Sequence, residues 1–322
     1  MFDSIKQSGS SSIIGIDIGG TTIKGGIVND IGEIFYKTIV KTDPTKEAIQ
    51  IVSDINFLIK ELEKRAEINN VDIKGIGIAS PGYPDDNGFI SFIPNIPNLA
   101  NFPIKKHLKI NKKVPILFEN DGNASACGEY IFGQKKKIKN IIVLTLGTGI
   151  ASGIISNGSI LKGKNGISGE LGHITIKPNG PICYCGKKGC LEIFCSANAL
   201  NASAREKADH DYATALRNYK PEEINPKIVA DEARKGDRES KKIYTNLGKW
   251  LGFGISIFIN VLNPEKIILA GGIARDSELF MEPMLASIKK NIHPQFRNGA
   301  IIEISKFKDN LGIIGAASLL LS

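Results

Sequence analysis

Four metal-binding side chains fall within eighteen residues of this 322-residue chain: His173, Cys183, Cys185 and Cys190, spaced H-x9-C-x-C-x4-C. Four soft or borderline ligands complete one tetrahedral zinc, and a closed His/Cys set without an open position is of the structural kind. The plain alternative is three neighbouring core cysteines, since a free Cys is often simply buried. The run CYCGKKGC is instead polar and loop-like, and Gly172, Gly180, Gly186 and Gly189 supply the tight turns that a small metal knuckle needs. Glu170 and Glu192 flank the ligands. The knuckle therefore reads as the scaffold of a polar ligand site as well as a staple.

A chain of this length can bury a sizeable core and is expected to form two lobes. Five cysteines, three of them in the cluster, fit a reducing compartment better than a disulfide framework. The first residues, MFDSIKQSGSSS, lack an apolar core and do not read as a signal peptide, and no run of eighteen apolar residues exists. The expected location is the cytoplasm, with no membrane partner. A net charge of +8 would admit nucleic acid, but the lysines are spread along the chain. Lys135-Lys136-Lys137 reads as a solvated loop, and no nucleic-acid-binding module accompanies the charge, so no such partner is expected.

Hydrophobic patterning predicts a Ser-rich tail over residues 1–12 and strands at 13–18, 23–28 and 33–40. Three strands without an intervening helix argue against a dinucleotide-binding βαβ start. A helix follows over 45–68, with Ala48, Ile51, Val52, Ile55, Leu58, Ile59 and Leu62 on one face. Next come a strand at 73–79, loops over SPGYPDDNG and 93–103, a strand at 115–119 and a helix at 123–131. Strands at 141–146 and 150–156 repeat the opening strand, Gly/Thr turn and strand, the pattern of a duplicated architecture. Beyond the metal stretch lie helices at 197–208, 225–235 and 240–262, a strand at 266–270, a helix at 278–291, a strand at 301–304 and a last helix at 311–321. The lobe boundary is expected near Asp121. Cys127 and Cys195, outside the zinc spacing, read as small helix-packing residues.

Four further stretches carry chemistry. In DIGGTTIKGG, the turn Gly19-Gly20-Thr21-Thr22 can offer backbone N–H groups and hydroxyls to phosphate oxygens, and Asp17 can hold Mg²⁺ through water. Lys24 can reach phosphate, although an ordinary strand Lys is the simpler reading. LGTGIASG repeats the design with Gly147, Thr148 and Gly149. In LAGGI, a strand ending at Gly271-Gly272 lets a flat ligand such as adenine approach the backbone. The Walker pattern is absent, so a nucleotide site here is not of the P-loop kind. In FENDGNA, Asn120 and Asp121 stand where a strand meets a helix. They can bind a polyol and take a proton from one hydroxyl, or Asp121 can merely cap the helix.

Taken together, GELGHITI…CYCGKKGCLE, FENDGNASACGE, DIGGTTIKGG and LGTGIASG resemble the ROK family of sugar kinases and repressors, of the hexokinase–actin ATPase superfamily. The resemblance runs from Asp17 to the terminal helix. It implies an α/β, two-lobed actin-like ATPase (ribonuclease H-like) fold with a cleft between the lobes and a structural zinc knuckle. The lobes would be 1–121 with 308–322, and 122–307, the last helix crossing back onto the first lobe. It implies Asp121 as the catalytic base, and Asn120, Glu170, His173 and Glu192 as sugar contacts, with Gly82 and Asn95 as further sugar-site positions. His173 would bind zinc by one ring nitrogen and face the sugar with the other. The two Gly turns would hold ATP phosphates and Gly271-Gly272 the adenosine, with Mg²⁺ as cofactor.

The activity implied is ATP-dependent phosphorylation of a hexose, glucose first, at O6. N-acetylglucosamine, N-acetylmannosamine and fructose are used by relatives with similar motifs. A sugar-responsive repressor is the other class, but only sixteen residues precede Asp17, too few for a helix-turn-helix. A homodimer is the family expectation.

Overall fold

The computed structural model describes residues 11–93, 95–211, 213–296 and 299–322. Residues 1–10 of the expected tail lie outside the described residues, and Ser11 and Ser12 open the first strand. The strands are β1 (Ser11–Ile18), β2 (Thr22–Asn29), β3 (Ile34–Lys41), β4 (Asp72–Ser80), β5 (Ile116–Asn120), β6 (Ile141–Leu146), β7 (Ile150–Ser156), β8 (Ser159–Ile160), β9 (Lys266–Ala270) and β10 (Ile301–Ile304). They form two five-stranded sheets, ordered β3-β2-β1-β4-β5 and β10-β9-β6-β7-β8. Counted from its own first strand, each sheet has the same order, 3-2-1-4-5. The duplication read from two Gly turns therefore extends to whole sheets. The two-residue β8 was too short to carry a periodicity and was not expected.

The α-helices are α1 (Ala48–Ile68), α2 (Ile104–His107), α3 (Asp121–Gly128), α4 (Glu192–Cys195), α5 (Ala197–His210), α6 (Pro226–Lys235), α7 (Arg238–Leu262), α8 (Met281–Asn291) and α9 (Leu311–Ser318). Several depart from expectation at their ends, each for a local reason. The helix expected from residue 45 starts at Ala48. Asp43 Oδ1 accepts from the Thr45 N–H at 3.0 Å, making a turn, and the Glu47 N–H donates to Gln50 Oε1 at 3.0 Å. The helix expected at 123–131 starts two residues earlier, because Asn120 caps it, and widens into a π turn over Glu129–Gly133. The helix expected from residue 278 starts at Met281, after a 3-10 segment, Ile273–Leu279, that is kinked at Asp276. Among the described residues no helix is long and apolar enough to cross a membrane.

The chain divides into two compact units. The first runs through Lys139 and adds Ile155–Ser168 and Asp309–Ser322, and the second holds Asn140–Ile154 and Gly169–Lys308. In the first unit the period-2 alternation of β1 sends Ile14, Ile16 and Ile18 to one face of the sheet, against Ile51, Ile55, Leu58 and Leu62 of α1. Ile13 goes to the other face, with Val28 and with Ile313 and Ala317 of α9. Cys127 packs there with Ala79, Ala124, Ala316 and Leu319, as expected of a small helix-packing residue. The terminal helix thus covers the first sheet.

That helix can lie so close because Gly15 and Gly77 are register partners beneath it. A Cβ at Gly77 would stand 1.8 Å from the Ala316 carbonyl oxygen, and one at Gly15 would stand 2.1 Å from that of Ile313. Backbone cannot yield as a flexible side chain can. Gly77→Ala should therefore cost at least the roughly 1–3 kcal/mol typical of overpacking, read as a lowered Tm in a thermal melt. An unchanged Tm would show that α9 is not seated on this glycine pair.

Candidate functional site

In the first unit, β1, β4 and β5 run parallel, with Asp17 opposite Ala79 and Ser80 opposite Asn120. Asp17, the loop through Gly82, and Asn120-Asp121 therefore gather at the carboxyl ends of adjacent parallel strands, where open α/β sheets bind ligands. The Gly19–Thr22 turn leaves β1 at the same end. It is closed by the Gly19 N–H to the Thr22 carbonyl, 3.0 Å, and buttressed by the Thr42 hydroxyl, which donates to the Gly19 carbonyl at 2.7 Å. Asn95 packs on this turn, since a Cβ at Gly20 would stand 2.9 Å from the Asn95 Cβ. A presumed sugar-site position and a presumed phosphate turn are thus in contact.

Asn120 settles which residue caps α3. Its Oδ1 accepts from the N–H groups of Gly122 (2.9 Å) and Asn123 (3.1 Å), and its Nδ2 donates to the Gly82 carbonyl at 2.9 Å. The capping role that could have explained Asp121 belongs to its neighbour. Asp121 is half-buried on the first turn and accepts from the Gly122 N–H through Oδ1 at 2.9 Å. Sequence reading missed Glu119, whose Oε1 accepts from the Asn120 N–H (3.0 Å) and Asn123 Nδ2 (3.1 Å) while Oε2 pairs with Lys162 at 2.6 Å. It braces the segment that carries Asn120 and Asp121. A carboxylate immediately before Asn-Asp was the only signal available.

Asp17 and Lys24 are cross-strand partners. Burial raises the Asp17 carboxyl above its usual range, opposed by the Lys24 charge. Gly312, at the start of α9, presses on Asp17, where a Cβ would stand 2.2 Å from Oδ2. A hard carboxylate oxygen at the mouth of a Gly turn is the donor that Mg²⁺ takes.

In the second unit, Gly147-Thr148-Gly149 joins β6 to β7, closed by the Gly147 N–H to the Gly149 carbonyl at 3.0 Å. Parallel pairing of β6 with β9 sets Thr145 opposite Ala270, so Gly271-Gly272 leaves the sheet beside this turn. Gly271 has φ +88°, and a Cβ there would stand 2.4 Å from the Leu146 carbonyl oxygen, so only glycine fits. Gly272 is exposed. The following segment is clamped by Arg234, which pairs with Asp276 (2.6 Å) and with Glu278, while the Tyr244 hydroxyl donates to Asp276 at 3.3 Å.

Strand β7 also fixes the acids around the knuckle. Ile150 N–H donates to Glu192 Oε2 at 2.7 Å, and a Cβ at Gly149 would stand 2.4 Å from the same oxygen. Burial pushes the Glu192 carboxyl up, against the opposing pull of that N–H and of His173. The Ser152 hydroxyl donates to the Gly169 carbonyl and accepts from the Leu171 N–H at 3.1 Å, holding both sides of Glu170.

The four presumed zinc ligands converge, their donor atoms all within 4.8 Å of one another. Cys183 Sγ lies 3.6 Å from His173 Nδ1, and Cys185 Sγ 3.7 Å from Cys190 Sγ. Tetrahedral zinc with ordinary bond lengths demands S···N and S···S separations of about 3.6 and 3.8 Å. The donor set fits zinc in chemistry, and these two separations match the tetrahedral spacing. Its backbone is shaped by the bridges Thr175–Cys190 and Ile182–Lys188. It docks on α7 through Phe194 stacked on Trp250 (4.8 Å), with Lys177 Nζ 5.8 Å over the same ring. Cys195 is fully buried beside the knuckle, its Sγ donating to the Leu247 carbonyl at 3.6 Å.

His173 thus turns Nδ1 to the metal position. Its Nε2 lies 3.1 Å from the Tyr184 hydroxyl and 3.9 Å from Glu170 Oε2. Burial, then the charges of Glu192 and Glu170, pushes the Tyr184 phenol above its usual range. Tyr184 was not among the residues expected to matter, because its place between two ligands says nothing of where the ring goes.

Comparison with known proteins follows the same lines. The ROK family model matches residues 13–322. A glucokinase of Thermotoga maritima is 35% identical over 311 residues, 96% of each chain. A xylose repressor of Caldicellulosiruptor bescii is 29% identical, covering 97% of this chain and 78% of the repressor. Among solved structures, a ROK family glucokinase from Streptomyces griseus in complex with glucose and AMPPNP superposes with a TM-score of 0.83 at 31% identity, covering 96% of this chain and 98% of the other. With the family model matched from β1 to the last residue, this chain belongs to the ROK family.

Proposed function

We propose that this chain is an ATP-dependent hexose kinase that converts glucose to glucose 6-phosphate. The observation that carries the reading is the division of labour at Asn120-Asp121. Asn120 caps α3 and ties it to Gly82, so the helix cap does not depend on Asp121, whose carboxylate stands at the carboxyl end of the sheet. Likeness to two glucokinases, one with glucose and an ATP analogue bound, supports glucose as the acceptor.

In this reading Asp121 accepts the O6 proton as O6 attacks the γ-phosphorus in line. The bond from that phosphorus to the bridging oxygen breaks, and ADP leaves. The turns Gly19–Thr22 and Gly147–Gly149 offer N–H groups to the phosphates, and Gly271-Gly272 admits the adenosine. Mg²⁺ held near Asp17 would supply charge neutralisation as the transition state forms. Asn120, Gly82, Asn95, Glu170, His173 and Glu192 orient the sugar, and zinc on His173, Cys183, Cys185 and Cys190 holds its loop in shape. Cysteines not joined as disulfides and the use of MgATP suit the cytoplasm, and we propose a homodimer there.

The test is an ADP-release assay with MgATP and glucose, N-acetylglucosamine, N-acetylmannosamine and fructose in parallel. Turnover is expected with glucose above the others. Preference for an N-acetylhexosamine or fructose would keep the kinase and change its substrate. No turnover with any of them would overturn the reading.

A further inference from the structure

The resemblance gives His173 a sugar hydroxyl through its second ring nitrogen, yet that nitrogen already has a protein partner. With Nδ1 facing the thiols at 3.6 Å, a metal on Nδ1 leaves the proton on Nε2, because a metallated imidazole carries hydrogen only on its other nitrogen. With zinc bound there, Nε2–H would donate to the Tyr184 oxygen, 3.1 Å away. The two rings meet edge to face, centroids 5.2 Å apart and planes at 81°, which fixes the phenol on its own axis as well as at its tip. A phenol accepting this bond keeps its own proton, free to be given elsewhere.

Tyr184 is also 62% exposed, although the cysteines on either side turn in to the metal position. An exposed ring whose hydroxyl is held by a metal ligand is held at a cost in side-chain entropy, and the zinc set gains no ligand from it. Glu170 and Glu192, the two acids presumed to meet the sugar, are its charged neighbours.

Resting on the hexose-kinase reading, we propose that Tyr184 is a sugar-contacting, specificity-determining residue: its hydroxyl, oriented by His173 Nε2–H, donates to the hexose hydroxyl that would otherwise meet His173. Zinc then acts on the sugar at one remove, by fixing the tautomer that fixes the phenol. The alternative, in which Tyr184 merely blocks His173 until sugar displaces it, predicts the opposite sign.

The experiment compares wild type with Tyr184→Phe, which keeps the ring and removes the hydroxyl. Steady-state kinetics are run on glucose and on its four monodeoxy analogues at C1 to C4, with zinc content measured on each protein. A lost neutral hydrogen bond is expected to raise KM for glucose about 3–10-fold, with KM for ATP and zinc content unchanged. For one deoxy analogue, the one lacking the partner hydroxyl, wild type and Tyr184→Phe should have equal KM. A KM for glucose that is unchanged or lowered overturns the proposal and leaves the kinase reading intact. So does a KM that rises equally for every analogue, or together with zinc loss. A wild type silent toward every hexose overturns both.

Discussion

Asp121→Asn should lower kcat for hexose phosphorylation by about 10²–10⁴-fold, the range that general-base catalysis supplies, while glucose binding and Tm stay near wild type. The substitution is nearly isosteric, and an amide oxygen can still accept from the Gly122 N–H as Asp121 Oδ1 now does at 2.9 Å. The cap of α3 does not depend on residue 121, because Asn120 accepts from both Gly122 and Asn123. An amide, however, cannot take the O6 proton. Loss of rate with retained binding is the mark of an interaction made only in the transition state. The check is single-turnover phosphorylation beside calorimetric glucose binding for both proteins. If the variant retained wild-type kcat, Asp121 would be a helix-terminus acid and nothing more. Asn120→Ala is a useful contrast, since it removes the cap and the tie to Gly82, so Tm and KM should move together.

Much of this is legible in the sequence, and the reasons differ by element. The strands β1, β4, β6 and β9 are short β-branched runs bounded by Gly turns, and such runs have few other uses. The cluster of His173, Cys183, Cys185 and Cys190 was legible because ligand spacing is local. What escaped was non-local or depended on competition between neighbours. Asn120 and Asp121 are equally good N-caps by composition, and only the backbone geometry decides between them. The Glu119–Lys162 pair joins residues far apart in sequence. Nothing in the composition of β1 tells that Gly15 exists to admit a helix three hundred residues later; that requires knowing that Gly77 lies beside it. Tyr184 escaped because the alternation that turns Cys183 and Cys185 inward predicts only that it points away from the metal.

Cys190→Ala should abolish zinc binding and raise KM for glucose by two orders of magnitude or more, with a smaller effect on nucleotide affinity. Cys190 is fully buried and sits 3.7 Å from Cys185 Sγ, so its loss opens the ligand set at a residue whose own backbone, bridged to Thr175, shapes the turn. Magnitudes decide whether the knuckle survives without metal. Ordering about ten residues of irregular loop costs roughly 10–20 kcal/mol in backbone entropy. Stacking of Phe194 on Trp250 and the Lys177 contact with the same ring return about 1–2 kcal/mol beyond simple burial. A structural zinc supplies about 10–16 kcal/mol in small peptides, the size of the deficit. The metal-free loop should therefore unfold locally, freeing His173, Tyr184 and Glu170 together. Gly271-Gly272 is fixed separately, by the packing on Leu146 and by Arg234 on the segment that follows, so AMPPNP binding should persist. Hydrogen exchange over 170–192, read with and without a strong chelator, checks this directly. Rapid exchange confined to that stretch is the expected result. Protection unchanged by complete zinc removal would show that the fold alone holds the loop, and that the cluster is not its staple.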